Sequence, residues 1–259
     1  MGGKAFAGKV AIVTGGGSGI GRAASRRLAA EGAQLVVADI AIDQARRTVE
    51  LIEQAGGEAI AVRADISSED DNRAMFDAAA DRFGGVDHAF LNAGILQPYI
   101  PFEEVGLDLF DRLVGVNLRG TFMGVQQALA RLRPRGSCVV TASLAAVVGF
   151  SEAAAYSISK HGLVGLVRSA AGPFAARGLR INAICPGMVL SGMTGGAGLE
   201  TLVDPAELPD PAYRGGLEAQ HIAEAALFLL GRGAAAINGQ AQNVDAAFLA
   251  AFPPLPELQ

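Results

Sequence analysis

Short apolar runs alternate with segments of helical periodicity along almost the whole chain. The first run, KVAIVTG (9–15), ends at a glycine-rich turn, and helical patterning follows over 19–31. A strand that is apolar on both faces must be covered on both faces, which is typical of parallel sheets. The alternation therefore predicts an α/β fold, and right-handed crossovers between the strands predict a doubly wound sheet.

Seven runs have strand character: 9–15, 34–39, 58–65, 86–94, 136–143, 179–187 and 239–245. Helices are predicted over 19–31, 43–55, 67–84, 107–132, 152–176 and 221–230. Asp43 and the Ser67-Ser68-Glu69 stretch are the expected N-cap signals. With no repeat or linker in 259 residues, we expect one Rossmann-type domain, a seven-stranded parallel sheet with helices on both faces. The glycine- and proline-rich segment 192–216 interrupts the alternation of strands and helices and is expected to be a substrate lid loop.

Composition excludes several classes of function. A net charge of −5 gives no electrostatic basis for binding nucleic acid or an anionic membrane. The N-terminus lacks a signal-peptide pattern and no apolar stretch is long enough to span a bilayer, so we expect a cytoplasmic protein. His88, His161, His221, Cys138 and Cys185 show no metal-ligand spacing. We therefore expect no metal, and two buried, reduced cysteines.

The turn TGGGSGIGR (14–22) and Asp39 together indicate a dinucleotide site. Glycines let the backbone approach a pyrophosphate, whose charge a helix N-terminus favours. Asp39 ends the second strand, where a carboxylate accepts hydrogen bonds from ribose hydroxyls and repels a 2′-phosphate. Since no Lys or Arg stands at 16–18, this pattern favours NAD over NADP. A simple tight turn and a solvated loop acid are the alternative interpretations.

Ser143, Tyr156 and Lys160 have the spacing of an acid–base site. Tyr156 and Lys160 are four residues apart on a predicted helix and share a face. Ser143 ends the preceding strand, from which it can point across the crevice. A nearby ammonium, together with the positive charge of an oxidised nicotinamide, lowers the pKa of a phenol, so Tyr156 is expected to exchange a proton with an alcohol oxygen while Ser143 holds that oxygen. The alternative for Lys160, one of three lysines in the chain, is a surface helix residue.

These motifs together resemble the short-chain dehydrogenase/reductase family, over about residues 9–245. Five motifs appear in the family's order: Thr14-Gly15-x-x-x-Gly19-x-Gly21, Asp65, Asn92-Ala93-Gly94, the Ser143 and Tyr156-x-x-x-Lys160 set, and Pro186-Gly187. The resemblance implies the catalytic residues Asn117, Ser143, Tyr156 and Lys160, with Asn117 helping to hold a water for proton relay. It implies an NAD site formed by Gly15, Gly17, Ser18, Gly19, Ile20, Gly21, Asp39, Ile40, Asp65, Ile66, Asn92, Ala93, Gly94, Tyr156, Lys160, Pro186, Gly187, Val189 and Ser191.

The chain departs from the family's pattern in three places. Leu91 replaces the first Asn of Asn-Asn-Ala-Gly, and Ser191 stands where a Thr commonly bonds the nicotinamide amide. Near the C-terminus, Val244-Asp245-Ala246-Ala247 replaces Val-Asp-Gly-Gly, which puts that turn and the packing of the tail 251–259 in question.

The substrate is expected to be a small hydrophobic secondary alcohol or ketone, and the protein an NAD-dependent dehydrogenase. The expected pocket consists of Ser143, Ala145, Phe150, Tyr156, Met188 and Met193, with Leu96, Tyr99 and Val148 nearby. The family also implies a homo-oligomer, with a tetramer favoured over a dimer. A 3-oxoacyl thioester reductase, a nucleotide-sugar epimerase and a non-catalytic NAD-binding scaffold or redox sensor are the alternatives. The Gly15–Gly21 spacing argues against the epimerase, whose family also has longer chains.

Overall fold

The fold was analysed in a computed structural model, which describes residues 3–190, 202–213 and 215–250. Its strands are β1 (Val10–Thr14), β2 (Gln34–Asp39), β3 (Glu58–Arg63), β4 (Val86–Leu91), β5 (Leu132–Thr141), β6 (Arg180–Pro186), β7 (Val189–Leu190), β8 (Leu217–Glu218) and β9 (Ala241–Val244). Its α-helices are α1 (Gly19–Ala30), α2 (Ile42–Gln54), α3 (Glu69–Phe83), α4 (Leu107–Leu113), α5 (Thr121–Arg131), α6 (Ala154–Ala176) and α7 (Ala219–Leu230). No helix within these ranges is long and apolar enough to cross a membrane.

Seven of the strands form one parallel sheet in the order β3-β2-β1-β4-β5-β6-β9. The order reverses between β1 and β4, which is the switch point of a doubly wound fold. Alternate residues of β1 serve opposite faces: Ala11 and Val13 belong to one hydrophobic cluster, Val10 and Ile12 to the other. The predicted Rossmann-type architecture is confirmed.

Two local predictions about helices were wrong. Asp43 is not the N-cap of α2, because Ala41 precedes the helix and Asp43 lies in its first turn. The single helix predicted over 107–132 contains a π-helical segment, Val114–Gly120, and β5 begins already at Leu132. The cap expected before α3 is present: the Ser68 hydroxyl accepts a hydrogen bond from Asp71 N at 3.2 Å.

A buried ionic cluster lies at the amino-terminal edge of the sheet. Asp87 on β4 accepts hydrogen bonds from Lys9 Nζ at 3.0 Å, Val10 N at 3.0 Å and Arg133 at 3.2 Å. Burial alone would raise the pKa of Asp87, but the bonds from Val10 and Lys9 bring the pKa below its usual value. The cluster joins the beginnings of three neighbouring strands through one carboxylate.

The turn after β9 holds two alanines in a conformation that suits glycine. Ala246 has φ 49° and Ala247 has φ 64°, in the left-handed region. The Asp245 carboxylate fixes the turn by accepting from Ala247 N at 3.1 Å and Leu249 N at 3.0 Å. The alanines that replace the family's glycines are therefore accommodated at the cost of backbone strain.

Replacing both alanines with glycine is expected to raise the free energy of unfolding by about 1–2 kcal/mol, because a left-handed conformation strains any residue with a Cβ. Urea unfolding monitored by circular dichroism measures the change. Ala235→Gly is the matched control. Ala235 has φ −58°, so glycine there should lower stability. Equal effects at the two places would contradict the assignment of strain.

Candidate active site

A cavity of about 640 Å³ opens at the carboxyl-terminal edge of the sheet, where parallel α/β sheets bind ligands. Most of the predicted cofactor-site residues line it: Gly15, Ser18, Gly19, Ile20, Asp39, Ile40, Asp65, Ile66, Asn92, Ala93, Gly94, Tyr156, Lys160, Pro186, Gly187 and Val189. Ser143 lines it as well. Fold topology thus brings together residues that are as far apart as 174 positions in sequence, from Gly15 to Val189.

Two of the predicted glycines shape the cavity without lining it. A Cβ on Gly21 would lie 2.0 Å from Gly15 O, so only glycine lets α1 pack this closely beneath the turn. A Cβ on Gly17 would lie 2.8 Å from Asp39 Oδ2 and would displace that carboxylate. The turn therefore depends on glycine both to pass close to Asp39 and to bring the helix N-terminus up to the cavity.

Backbone amides fix the orientation of Asp39. Its Oδ2 accepts from Gly17 N at 2.9 Å, and its Oδ1 accepts from Ala41 N at 2.9 Å. Each carboxylate oxygen can accept a further hydrogen bond, and Asp39 lines the cavity. The nearby Arg22 guanidinium donates to Gly17 O and to Gln44 Oε1.

Two further groups along the cavity are held by hydroxyls. Hydrogen bonds from the side chain and backbone of Ser67 lower the pKa of Asp65, with distances to Oδ1 of 2.7 and 2.9 Å. Thr14 Oγ1 accepts from Asn92 N at 2.9 Å and from Ala93 N at 3.0 Å. The first glycine turn and the Asn-Ala-Gly turn are therefore tied together at the switch point.

Ser143, Tyr156 and Lys160 meet at one side of this cavity. Ser143 follows the end of β5, and its hydroxyl lies close enough to the Tyr156 phenol to lower the pKa of that phenol. Lys160, one turn after Tyr156 on α6, places Nζ 5.6 Å from the Tyr156 ring centroid. Lys160 Nζ also donates to Thr141 O at 2.9 Å, and the Lys160 side chain is buried. A proton donor, a hydroxyl partner and a cation thus share one apolar recess.

The protein groups alone favour the protonated form of Tyr156. Burial raises the pKa of Tyr156 above its usual value, although the Ser143 hydroxyl acts in the opposite direction. The sequence-based expectation of a lowered pKa included the positive charge of an oxidised nicotinamide beside Lys160, so it concerns the site with the cofactor bound. Burial also lowers the pKa of Lys160 to about 8, since no carboxylate pairs with Nζ within the described residues. Tyr156 is therefore neutral near neutral pH when only protein groups surround it.

Asn117 lies within the π-helical segment and is fully buried. Its Oδ1 accepts from Ile95 N at 2.8 Å, and its Nδ2 donates to Ile95 O at 3.0 Å and to Ser159 Oγ at 3.2 Å. The side chain does not line the cavity. Its amide holds the segment after Gly94, and a Cβ on Gly94 would lie 3.1 Å from Asn117 Oδ1.

The expected substrate pocket is only partly assembled. Ala145 is 1% exposed and belongs to the core, because the chain after Ser143 winds into a 3₁₀ turn that directs Ala145 inward. Phe150 borders a separate surface groove with Phe102 and Ile158. Met188 is 62% exposed and does not line the cavity. These three residues do not line the cavity, whereas Ser143 and Tyr156 do.

Ser191, Met193, the tail 251–259 and most of the first half of the expected lid lie outside the described residues. The described part of the lid, 202–213, is attached to α7. The Gln220 amide donates to Val203 O at 2.8 Å and accepts from Val203 N at 3.1 Å. His221 Nδ1 accepts from Glu218 N at 3.0 Å, so Nε2 carries the hydrogen that it donates to Pro209 O at 2.9 Å.

Several lining residues were not expected to contact the cofactor or substrate. They are Ala64, Ser67, Ile95, Arg112, Val116, Thr141 and Ala142. Val116 and Arg112 lie about one and two helical turns before Gly120, whose backbone packs on Ile66 O, so they belong to the Asp65–Ile66 end of the cavity. The spacing of Arg112, Val116 and Gly120 at i, i+4 and i+8 is the sequence signal that would have identified this face.

Comparisons with known proteins agree with this geometry. A family model described as Enoyl-(Acyl carrier protein) reductase matches residues 15–248. The levodione reductase of Leifsonia aquatica is 36% identical over 261 residues, covering 95% of this chain and 96% of the relative. A crystal structure of levodione reductase matches with a TM-score of 0.85 and 33% identity, covering 95% of this chain and 100% of that one.

Two further similarities bear on ligands. The 2,5-dichloro-2,5-cyclohexadiene-1,4-diol dehydrogenase of Sphingobium indicum is 40% identical over 253 residues, covering 95% of this chain and 98% of the relative. A short-chain dehydrogenase from Burkholderia cenocepacia, crystallised in complex with NADP, has a TM-score of 0.83 and 31% identity, covering 93% of this chain and 98% of that one. The Burkholderia protein shares the fold, and both proteins match this chain over almost its whole length.

Proposed function

Because the chain belongs to the short-chain dehydrogenase/reductase family, we propose that it transfers a hydride between NAD(H) and a hydrophobic secondary alcohol or ketone, with Tyr156 as general acid and base. One observation carries the proposal: Ser143, Tyr156 and Lys160 line the same cavity as the glycine turn and Asp39. Proton transfer and dinucleotide binding can therefore take place side by side.

The cavity fits a nicotinamide dinucleotide. The helix N-terminus at Gly19 favours a pyrophosphate, Asp39 suits ribose hydroxyls, and Gly94 and Gly187 keep the wall near Lys160 and Pro186 free of side chains. When bound, the oxidised cofactor supplies the acceptor for the hydride of the alcohol carbon. Ser191 is proposed to complete the site with a hydroxyl.

Tyr156 is proposed to take the proton of the alcohol oxygen during oxidation and to return it during reduction. Burial keeps the phenol protonated, so additional positive charge must favour the phenolate before it can act as a base. Lys160 supplies such a charge from a fixed position 5.6 Å from the ring centroid. Ser143 holds the phenol and, with it, the substrate oxygen. Asn117 is proposed to support proton relay to Lys160.

The substrate is proposed to be a cyclic secondary alcohol or the corresponding ketone. Around Ser143 and Tyr156 the lining is apolar and includes Ile95, Leu96 and Val189. An apolar wall favours a hydrocarbon body, and the phenol provides one polar contact for its oxygen. One relative is named for a cyclohexadiene diol, which supports a ring-shaped substrate.

NAD is proposed as the preferred cofactor, with NADP as the alternative that the Burkholderia complex raises. Asp39→Asn removes the negative charge at nearly constant size. The ratio of kcat/KM with NAD to that with NADP is expected to fall about 100-fold, because repulsion of a 2′-phosphate and one ribose acceptor are lost. Asp43→Asn, which neutralises an exposed acid on α2, should leave the ratio unchanged. A parent enzyme that already prefers NADP would contradict the assignment.

A second candidate is a 3-oxoacyl thioester reductase. The acyl-carrier-protein description of the matching family model favours it. Asp39 and the net charge of −5 argue against it, since an acidic carrier protein is bound by basic surface and such enzymes prefer NADP. A non-catalytic NAD-binding scaffold is less well supported, because it has no use for the Ser143, Tyr156 and Lys160 arrangement.

We propose a homo-oligomer, with a tetramer favoured. Phe122 on α5 and Ile158 on α6 are 45% and 49% exposed, so both helices present large apolar side chains against which a second copy could pack. Light scattering with size-exclusion chromatography measures the assembly.

The decisive experiment follows reduced-nicotinamide absorbance with NAD, and separately NADP, over a panel of cyclic and open-chain secondary alcohols. Turnover with NAD on cyclic alcohols supports the proposal. Faster turnover with NADP in the reductive direction, on thioester substrates, would transfer the assignment to the second candidate. Binding of NAD measured by calorimetry, without turnover of any substrate class, would favour the scaffold.

A further inference from the structure

Gln97 is a buried polar side chain that neither the family motifs nor the proposed chemistry uses. It is 1% exposed and lies three residues after Gly94, on the segment that leaves the cavity wall. A buried amide must find hydrogen-bond partners, and the identity of those partners indicates its role. Its partners lie at the beginning of α6, which carries Tyr156.

Both ends of the Gln97 amide bind this helix start. Gln97 Oε1 accepts from Tyr156 N at 3.1 Å, and Gln97 Nε2 donates to Glu152 O at 3.4 Å. Tyr156 is the third residue of α6, so its backbone N–H has no partner within the helix. Gln97 thus acts as a cap that comes from a distant strand end instead of from the helix's own sequence.

The carbonyl side of Tyr156 is held independently. Ser159 Oγ donates to Tyr156 O at 2.7 Å and accepts from Asn117 Nδ2 at 3.2 Å. Asn117 in turn holds Ile95, two residues before Gln97, through both its backbone N–H and its carbonyl. These contacts form a closed hydrogen-bonded ring through Ile95, Gln97, Tyr156, Ser159 and Asn117.

We propose that Gln97 is a positioning residue that fixes the Tyr156 phenol against Ser143 through this ring. Leu96, which lines the cavity, lies inside the ring between Ile95 and Gln97. Leu96 on the cavity wall is therefore linked to Tyr156, the proposed acid–base residue, through the neighbouring Gln97. Gln97 touches neither substrate nor cofactor in this role; it acts through the backbone of Tyr156. The inference rests on the proposed role of Tyr156 as acid and base.

The test uses Gln97→Met, which keeps side-chain length and removes both hydrogen bonds, and Gln97→Glu, whose carboxyl, kept protonated by burial, can accept from Tyr156 N and donate to Glu152 O. We expect kcat to fall 10- to 100-fold in Gln97→Met, with KM and NAD affinity within threefold of the parent. Gln97→Glu should recover kcat to within about threefold of the parent. Gln54→Met, at an exposed position at the end of α2, is the matched control.

A second readout is independent of turnover. The chain has three tyrosines and no tryptophan, so Tyr99→Phe with Tyr213→Phe leaves Tyr156 as the single tyrosine. In protein labelled with ζ-¹³C tyrosine, the Tyr156 resonance at pH 8 should move in Gln97→Met and remain at the parent position in Gln97→Glu and Gln54→Met. Ser159→Ala, which releases the other side of Tyr156, should move the same resonance even if Gln97→Met does not fold.

The positioning role would be overturned if the Tyr156 resonance did not move in Gln97→Met or in Ser159→Ala. It would also be overturned if kcat fell only in proportion to a lowered Tm. The two proposals fail separately. A parent protein without dehydrogenase turnover contradicts the proposed function, whereas the resonance still reports whether Gln97 positions the phenol.

Discussion

Tyr156→Phe is expected to lower kcat by about 10²–10⁴-fold, the range that general acid–base groups contribute. Phenylalanine fills the same space, so the cavity and its NAD affinity should remain within about threefold of the parent. The loss arises because no other described side chain that lines the recess beside Ser143 combines a titratable hydroxyl with a neighbouring ammonium. Steady-state kinetics on the best alcohol of the panel, with calorimetric titration of NAD, measures both quantities.

Ser143→Ala provides the comparison. It removes the hydroxyl that opposes the burial-induced rise in the pKa of Tyr156, so the limb on which kcat for alcohol oxidation rises with pH should move to higher pH. Tyr156→Phe should instead abolish that limb. Retention of more than a tenth of the parent kcat in Tyr156→Phe would mean that another group transfers the proton.

Lys160→Met is expected to change the pH dependence of stability as well as activity. Burial lowers the pKa of Lys160 to about 8 from its ordinary value of 10.5. Between these values the unfolded chain binds more protons than the folded one, so parent stability rises with pH over this window. The free energy of unfolding of the parent, relative to Lys160→Met, should therefore increase by about 3 kcal/mol from pH 7 to pH 10.5.

Urea unfolding at a series of pH values measures this difference. Lys4→Met, which removes an exposed ammonium near the N-terminus, should run parallel to the parent. The Lys160→Met variant also leaves Thr141 O without its hydrogen bond from Nζ. This loss of stability is the same at every pH, so it does not affect how the free energy of unfolding changes with pH. Parallel curves for Lys160→Met and the parent would show that the ammonium is not disfavoured in the folded state.

The architecture follows from the sequence because buried parallel strands leave a clear pattern. QLVVAD (34–39) was predicted at the residues that form β2, and the glycine turn and Asp39 were placed together because both follow strand ends. The π-helical segment at Val114–Gly120 leaves no such pattern, since nothing in VGVNLRG distinguishes a π-helical turn from an α-helical one. Its position was accessible only from the structure.

The features that the sequence did not predict depend on packing between segments that are distant in the chain. The direction of the Tyr156 pKa shift depends on how deeply the phenol is buried, which the neighbouring Lys160 does not reveal. Ala145 and Phe150 were assigned to the pocket because they follow Ser143, but two 3₁₀ turns direct one inward and the other to the outside. Gln97 caps a helix 59 residues away, a relation that no local pattern contains.

The buried Asp87 cluster and the cavity lie at opposite edges of the sheet. Polar contacts that anchor the beginnings of β1, β4 and β5 are made where no ligand is expected, whereas the residues that line the cavity lie at the other edge. Stability and selectivity are thereby assigned to separate ends of the same strands. A chain built this way can acquire new substrates through substitutions at the cavity while the ionic anchor stays unaltered, which makes it a good starting point for directed evolution.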